Sequence, residues 1–199
     1  MIEIMPLRDL IDMRGAEEAQ EILSTFHCVK DPDIENFLHN RAIDFENIAK
    51  SRTYIICNAE QFHEGNIEIY AYFALSLKVL ILPEEMSVRS RKEYDGFSGK
   101  IHGQPVREIP CYLIGQLARN SNVSKEKIQG SEILDLAMSI IRPSFRTIGG
   151  RWVIIECRND ENLIEFYRRN AFKFVMSKPS EDISMVQMIR RVEEHDFYM

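Results

Sequence analysis

Apolar residues recur along this chain with two different spacings. Residues 2–7 can form a short first strand. In residues 16–26, Ala19, Ile22, Leu23 and Phe26 fall three or four apart, which is helical spacing. Asp31-Pro32-Asp33 supplies an acidic, proline-bearing helix start. Beyond it Ile34, Phe37, Leu38, Ala42, Phe45 and Ile48 keep the same spacing, predicting one amphipathic helix to about Lys50. Residues 53–58 are β-branched and aromatic and read as a strand. The polar stretch 59–66, with Gly65, suits a hairpin. Residues 67–82 predict a long strand with a bend near Ser76.

Residues 83–110 differ in kind. Arg89, Arg91, Lys92, Lys100 and Arg107 mix with Gly96, Gly99 and Gly103, which reads as an insertion with one short helix after Pro83. Residues 110–120 are apolar on both faces, as in a central strand. A polar loop, 121–127, leads to Gly130. The helix that follows places Ile133, Leu134, Ala137, Ile140 and Ile141 on one side and is expected to close at Pro143. Gly149-Gly150 turns into a buried strand at 152–157. Asn159-Asp160 caps a helix bearing Leu163, Phe166 and Tyr167. Strands at 172–176 and 183–191 complete an α/β layered arrangement in a single domain over residues 1–199.

Composition narrows the function classes. A chain of 199 residues, 45% hydrophobic and 28% charged, is typical of a globular protein. No apolar run approaches the ~20 residues of a membrane span. No basic and then apolar leader opens the chain, so the expected location is the cytoplasm. A formal charge of −6 argues mildly against a protein that coats nucleic acid, while leaving room for a local basic groove. Cys28, Cys57, Cys111 and Cys157 form no CxxC pair, and three lie in apolar runs, so they read as buried reduced thiols. The five histidines show no HxxxH or HExxH spacing, so no metal site is expected.

The stretch from Leu113 to Phe172 carries the chemistry. A central strand ends, a loop turns back, and a helix opens at Gly130-Ser131. N–H groups at a helix start lack intrahelical partners and sit at the positive end of the dipole, which makes an anion site. Lys125 and Lys127 add charge beside it. Close helix packing at Gly130 with solvated lysines would give the same local pattern. The segment from Leu163 to Phe172, with its Phe166-Tyr167 pair, resembles the terminal signature of the GNAT acetyltransferases, and the spacing from Gly130 with one intervening strand is similar to theirs. The resemblance implies a GNAT-like mixed, mostly antiparallel sheet, with a central parallel strand pair splayed around the cofactor and helices flanking it. It also implies acetyl-CoA as co-substrate and acetyl transfer to a primary amine.

Laid on this sequence, the family's pyrophosphate loop is Lys125-Glu126-Lys127-Ile128-Gln129-Gly130, with Ser131 following. Lys125 stands where Gln or Arg is usual and Ile128 replaces the first glycine. Ile128 is compatible with the loop if its φ stays negative and its side chain points into the core. Ala171 stands where the family usually has glycine, and Asn170 beside it is the residue able to turn left-handed. The resemblance makes Tyr167 the general acid that protonates the CoA thiolate. It has Gln116, Leu117 and Ala118 pair a strand edge with the pantetheine arm, where a backbone N–H polarises the carbonyl. The bland alternative for Tyr167 is packing beside Leu163 and Phe166.

Phe26, Cys28, Phe37, Leu38 and Ala42 resemble a pattern of the GNAT toxin branch, and Asp160, seven residues before Tyr167, is similar to that branch too. For Phe26, Phe37 and Leu38, helix packing explains the pattern better than direct function. The toxin branch implies the amino group of aminoacyl-tRNA as acceptor and an antitoxin protein as partner; a homodimer is also compatible. Arg89, Arg91, Lys92, Arg142, Arg146 and Arg151 are the candidate tRNA phosphate contacts. For the general base, Glu68, Glu156 and a water chain stay open. A reading of another class is a non-catalytic GNAT-like module that binds a protein.

Overall fold

The computed structural model describes residues 2–58, 67–178 and 184–192, so the hairpin expected at 59–66 lies outside the described residues. Two compact units emerge, Met1–Ser76 with Ile114–Ser144, and Leu77–Leu113 with Phe145–Met199. The first cut falls at Ser76, but the strand there, expected to bend, runs on unbroken from Ile69 to Ile81.

In the first unit a strand at Ile2–Pro6 (β1) leads directly into a helix at Leu7–Arg14 (α1). The apolar pattern does not mark α1, because only Leu7 and Leu10 on it are buried. The helix Ala16–Leu23 (α2) follows. Asp31 then caps the helix Pro32–Asn40 (α3) by accepting from the Asp33 N–H at 3.2 Å, with Pro32 in the first turn where its missing donor costs nothing. The single helix expected to about Lys50 is broken. Arg41 leaves helical geometry at φ −132°, and Ala42–Asn47 (α4) is a separate short helix. The break turns Glu46 inward, where its carboxylate pairs with Arg52 and accepts from the Thr53 N–H at 3.1 Å. Apolar periodicity cannot register such a polar anchor.

The strand Arg52–Asn58 (β2) pairs antiparallel with β1 and with the long strand Ile69–Ile81 (β3). The sheet order in this unit is β1-β2-β3-β6, where β6 is Glu108–Arg119, contributing its residues from Ile114 onward. Leu7, Leu10, Leu23, Phe26, Leu38, Ile55 and Tyr72 are fully buried in one core. Phe26 meets Tyr72 edge to face with ring centroids 5.0 Å apart, and the Tyr72 hydroxyl donates to the Ile34 carbonyl at 2.6 Å. The expected packing role of Phe26, Phe37 and Leu38 is what the core contains. A long helix, Gly130–Ile148 (α6), starts in this unit. It does not close at Pro143 but runs five residues further. An interior proline removes one backbone hydrogen bond and crowds the preceding turn, but its fixed φ is helical, so it can sit inside a helix that continues.

The second unit contains the latter part of β3, the helix Val88–Asp95 (α5), a small hairpin of Lys100–Ile101 (β4) and Gln104–Pro105 (β5), and β6 up to Leu113. It continues with Trp152–Arg158 (β7), the helix Glu161–Arg169 (α7), Lys173–Lys178 (β8) and Met185–Arg191 (β9). The order is β3-β6-β7-β9-β8, with β6 and β7 parallel and the β7–β9 and β8–β9 pairs antiparallel. Gly149 and Gly150, at φ 80° and 97°, turn the chain into β7. A side chain at Gly150 would begin 2.8 Å from the Tyr112 ring, so only glycine fits there. All four cysteines are buried and free, and burial pushes the thiols of Cys57, Cys111 and Cys157 up to about 11. They behave as small apolar residues rather than reactive thiols.

Candidate active site

The end of β6 shapes the loop that leads to α6. Asn120 is buried and fully used: its Nδ2 donates to the Ile69 carbonyl at 2.9 Å, and its Oδ1 accepts from the Asn122 N–H at 3.0 Å. The Ser121 N–H donates to the His27 carbonyl at 2.7 Å, and the Ser121 hydroxyl accepts from the Val29 N–H at 3.0 Å. Arg119 Nη1 donates to the Val123 carbonyl at 2.9 Å. The segment 27–29 is in turn held by Glu35, whose carboxylate accepts from the Cys28 N–H at 2.6 Å, and by His39 bonded to the Phe26 carbonyl at 2.8 Å. The Phe26–Cys28 stretch therefore braces the loop. Arg119, Asn120 and Ser121 are structural determinants that apolar spacing does not reveal. The one legible signal is a run of polar residues just after a central strand.

Ile128 is completely buried, and its φ is outside the left-handed region. Both conditions that let it replace glycine are met: its side chain is a peg in the core, and its backbone stays available. Gln129, Gly130, Ser131 and Glu132 follow at the surface. Among the described residues no acceptor meets the N–H groups of Gly130, Ser131 or Glu132, the orphan donors of a helix start. Lys125 is exposed. Lys127 is bound to Glu68, with its Nζ 3.2 and 3.4 Å from the carboxylate oxygens and 4.7 Å from the Tyr70 ring centre. The hydrogen bond to Glu68 raises the lysine's pKa. Gln116, Leu117 and Ala118 lie near the C-terminal end of β6, whose neighbours in the sheet order are β3 and β7. The fit to a pyrophosphate is thus a set of free amides at the positive end of a long helix, with no side chain in the way at Ile128.

In the second unit, Asp160 caps α7, its Oδ1 accepting from the Leu163 N–H at 2.9 Å. Tyr167 is 7% exposed, with Phe166 and Phe172 edge-on at 5.0 and 5.4 Å. Its hydroxyl makes no hydrogen bond among the described residues. Burial raises the phenol well above its usual value, with the neighbouring Cys157 adding to it. The phenol stays protonated. The turn after α7 is a correction: Asn170 keeps a negative φ of −96°, and Ala171 takes the left-handed conformation at φ 63°. Asn170 is held where it is by its own side chain, whose Nδ2 donates to the Phe166 carbonyl at 2.8 Å.

Glu156 is held ionised by three hydrogen-bond donors. Burial alone would raise its carboxyl, but hydrogen bonds from Lys178, Lys78 and Gln187 outweigh this and hold it at about 2. Lys178 Nζ sits at 2.8 Å and Gln187 Nε2 at 2.7 Å. A carboxylate so engaged is a weak proton acceptor. Arg91 likewise leaves the set of tRNA contacts. It is buried, with Nε on the Met86 carbonyl at 2.9 Å and its Nη atoms on the carbonyls of Pro83, Glu84 and Val106. Its charge staples the insertion together, while Arg89 and Lys92 are exposed. Among the described residues no group of His, Cys, Asp and Glu could hold a metal ion, and no helix is long and apolar enough to cross a membrane.

No family model matches the chain. Solved structures do. A tyrosine-to-phenylalanine variant of KacT aligns with a TM-score of 0.66 at 15% identity, over 96% of this chain and 95% of its own. AtaT complexed with acetyl-methionyl-tRNAfMet aligns at 0.63 and 17%, over 94% of each chain. AtaTR bound with acetyl-CoA aligns at 0.64 and 18%, over 96% of this chain and 93% of its own. The chain has the GNAT fold. In that frame β6 and β7 are the parallel pair. At these identities the fold is what is shared, and the chemistry must come from the residues themselves.

Proposed function

We propose that this GNAT-fold chain is an acetyl-CoA-dependent N-acetyltransferase whose acceptor is the amino group of an aminoacyl-tRNA. The observation that carries the reading is the start of α6: unclaimed N–H groups at Gly130, Ser131 and Glu132, with Ile128 buried beneath them. Acetyl-CoA, when bound, supplies the acetyl group as a thioester and departs as a thiolate. The amides of residues 128–131 and the Lys125 ammonium bind and orient the pyrophosphate. Residues 116–118, near the end of β6, would offer backbone groups to the pantetheine arm and an N–H to the acetyl oxygen. Tyr167 holds the proton that the departing sulfur takes. The acceptor amine loses its proton to water, since Glu156 is locked in its hydrogen bonds and Glu68 is engaged by Lys127.

The acceptor class rests on the similarity to AtaT complexed with acetyl-methionyl-tRNAfMet. Similarity to KacTA bound to DNA and to AtaT bound to the C-terminus of AtaR supports an antitoxin partner. The protein with radiolabelled acetyl-CoA and a mixture of charged tRNAs should yield N-acetyl-aminoacyl-tRNA. Acetyl-CoA binding without transfer to any charged tRNA would retain the cofactor site and remove this acceptor. Absence of acetyl-CoA binding would remove the enzyme reading and leave a GNAT-fold binding module.

A further inference from the structure

One of the amides proposed to grip the pyrophosphate is already taken. The Gln129 N–H, immediately before the first helical residue Gly130, donates to Glu132 Oε2 at 2.6 Å. A glutamate three residues past the cap reaching back to the cap's N–H is half of a capping box. The other half is missing, because the cap is Gln129 rather than Ser or Thr, and no side-chain oxygen there answers the orphan amides. A full negative charge therefore sits at the positive pole of α6, on an amide assigned to phosphate. Nearby, Glu68 neutralises Lys127 in the same manner. Lys125 and the amides of Gly130, Ser131 and Glu132 hold no such internal anion.

We infer that Glu132 is an internal competitor for the cofactor's pyrophosphate and sets the affinity of this chain for acetyl-CoA. The inference rests on the acetyl-CoA reading above. A phosphate oxygen can take the Gln129 amide only when the carboxylate leaves it, and while the carboxylate remains it repels the incoming charge. No covalent change is involved, so the exchange is reversible and sensitive to salt. The carboxylate also keeps the helix start ordered before the cofactor arrives, since it satisfies a donor that would otherwise fray.

Glu132→Gln isolates the charge, because its amide oxygen can still accept from the Gln129 N–H and hold the helix start. Two like-charge repulsions at ~6 Å in a water-like dielectric are together worth about tenfold in affinity. Calorimetric titration of the full chain at low salt should therefore show acetyl-CoA binding about tenfold tighter to Glu132→Gln than to the wild type. The gap should shrink to under ~3-fold in 1 M salt, where the screening length is about 3 Å. Acetyl-pantetheine, which lacks the phosphates, should bind both proteins equally. Equal or weaker acetyl-CoA binding by a folded Glu132→Gln, with the wild type binding normally, overturns the inference and leaves the cofactor site standing. A wild type that binds no acetyl-CoA overturns the cofactor reading and this inference with it.

Discussion

Replacing Glu156 by Gln separates a structural carboxylate from a catalytic one. The wild-type carboxylate joins Lys78 on β3, Lys178 on β8 and its cross-strand partner Gln187 on β9. Its pKa is held at about 2, against the usual 4.5. At about 1.4 kcal/mol per pKa unit, that difference gives roughly 3 kcal/mol of stability. The side chain is 24% exposed, so solvent screening brings the expected contribution to about 2 kcal/mol. The folded-state pKa is depressed, so this stability is fully present above pH 4.5 and is lost as pH falls towards 2. Glu156→Gln should cost about 2 kcal/mol at pH 7, in part because an amide N–H is turned towards an ammonium. Urea unfolding monitored by circular dichroism, repeated from pH 7 down to pH 2.5, should show the difference from wild type narrowing below pH 4.5. Acetyl transfer per folded molecule should be unchanged. A mutant as stable as wild type at pH 7, or a well-folded mutant that has lost transfer, would refute the assignment.

Ala171→Gly relieves a left-handed alanine at φ 63° and should stabilise the protein by about 0.5–1 kcal/mol in thermal or urea unfolding. Arg91→Met should destabilise it by about 2–4 kcal/mol, because four backbone carbonyls lose their donor together, and Arg91→Lys should restore little of this since an ammonium cannot span them. Ile128→Gly removes a fully buried side chain and should cost about 3–5 kcal/mol, so a gain in cofactor affinity from the restored glycine is expected to be masked by unfolding; Ile128→Val should cost about 1 kcal/mol and leave acetyl-CoA affinity unchanged in a titration.

The sequence pattern carried those parts of the fold that apolar spacing encodes. The strands around 53–58, 110–120 and 152–157, the helix from Gly130 and the cap at Asp160 all appear where the residues place them. What it misjudged was decided by polar groups. Arg41 breaks a helix whose apolar face continues unbroken, because Glu46 is needed against Arg52 and Thr53. Pro143 does not stop α6, which runs on to Ile148 with the proline inside it. Arg91 and Glu156 look from the sequence like a surface cation and a cleft base. Only the folded chain brings four carbonyls to the first, and two lysines and a glutamine to the second. At the candidate site, a motif singles out Ile128, Gly130 and Tyr167, and the fold buries Ile128 and Tyr167 and opens α6 at Gly130. The brace of Asn120 and Ser121 on His27 and Val29, and the carboxylate on Gln129, depend on contacts between residues far apart in sequence or on a side-chain rotamer, and neither is written in spacing.

Tyr167→Phe tests the central claim most directly. The ring contacts with Phe166 and Phe172 survive the change, and the lost hydroxyl has no hydrogen-bond partner among the described residues. The alternative in which that oxygen serves a buried acceptor would cost roughly 1–3 kcal/mol on mutation. The melting temperature should therefore stay level or rise, and acetyl-CoA affinity should be unchanged. Turnover, measured on the same preparation with charged tRNA as acceptor, should fall by about 10²- to 10⁴-fold, as for a lost general acid. Undiminished turnover in a well-folded Phe variant would contradict the account and remove Tyr167 from the chemistry.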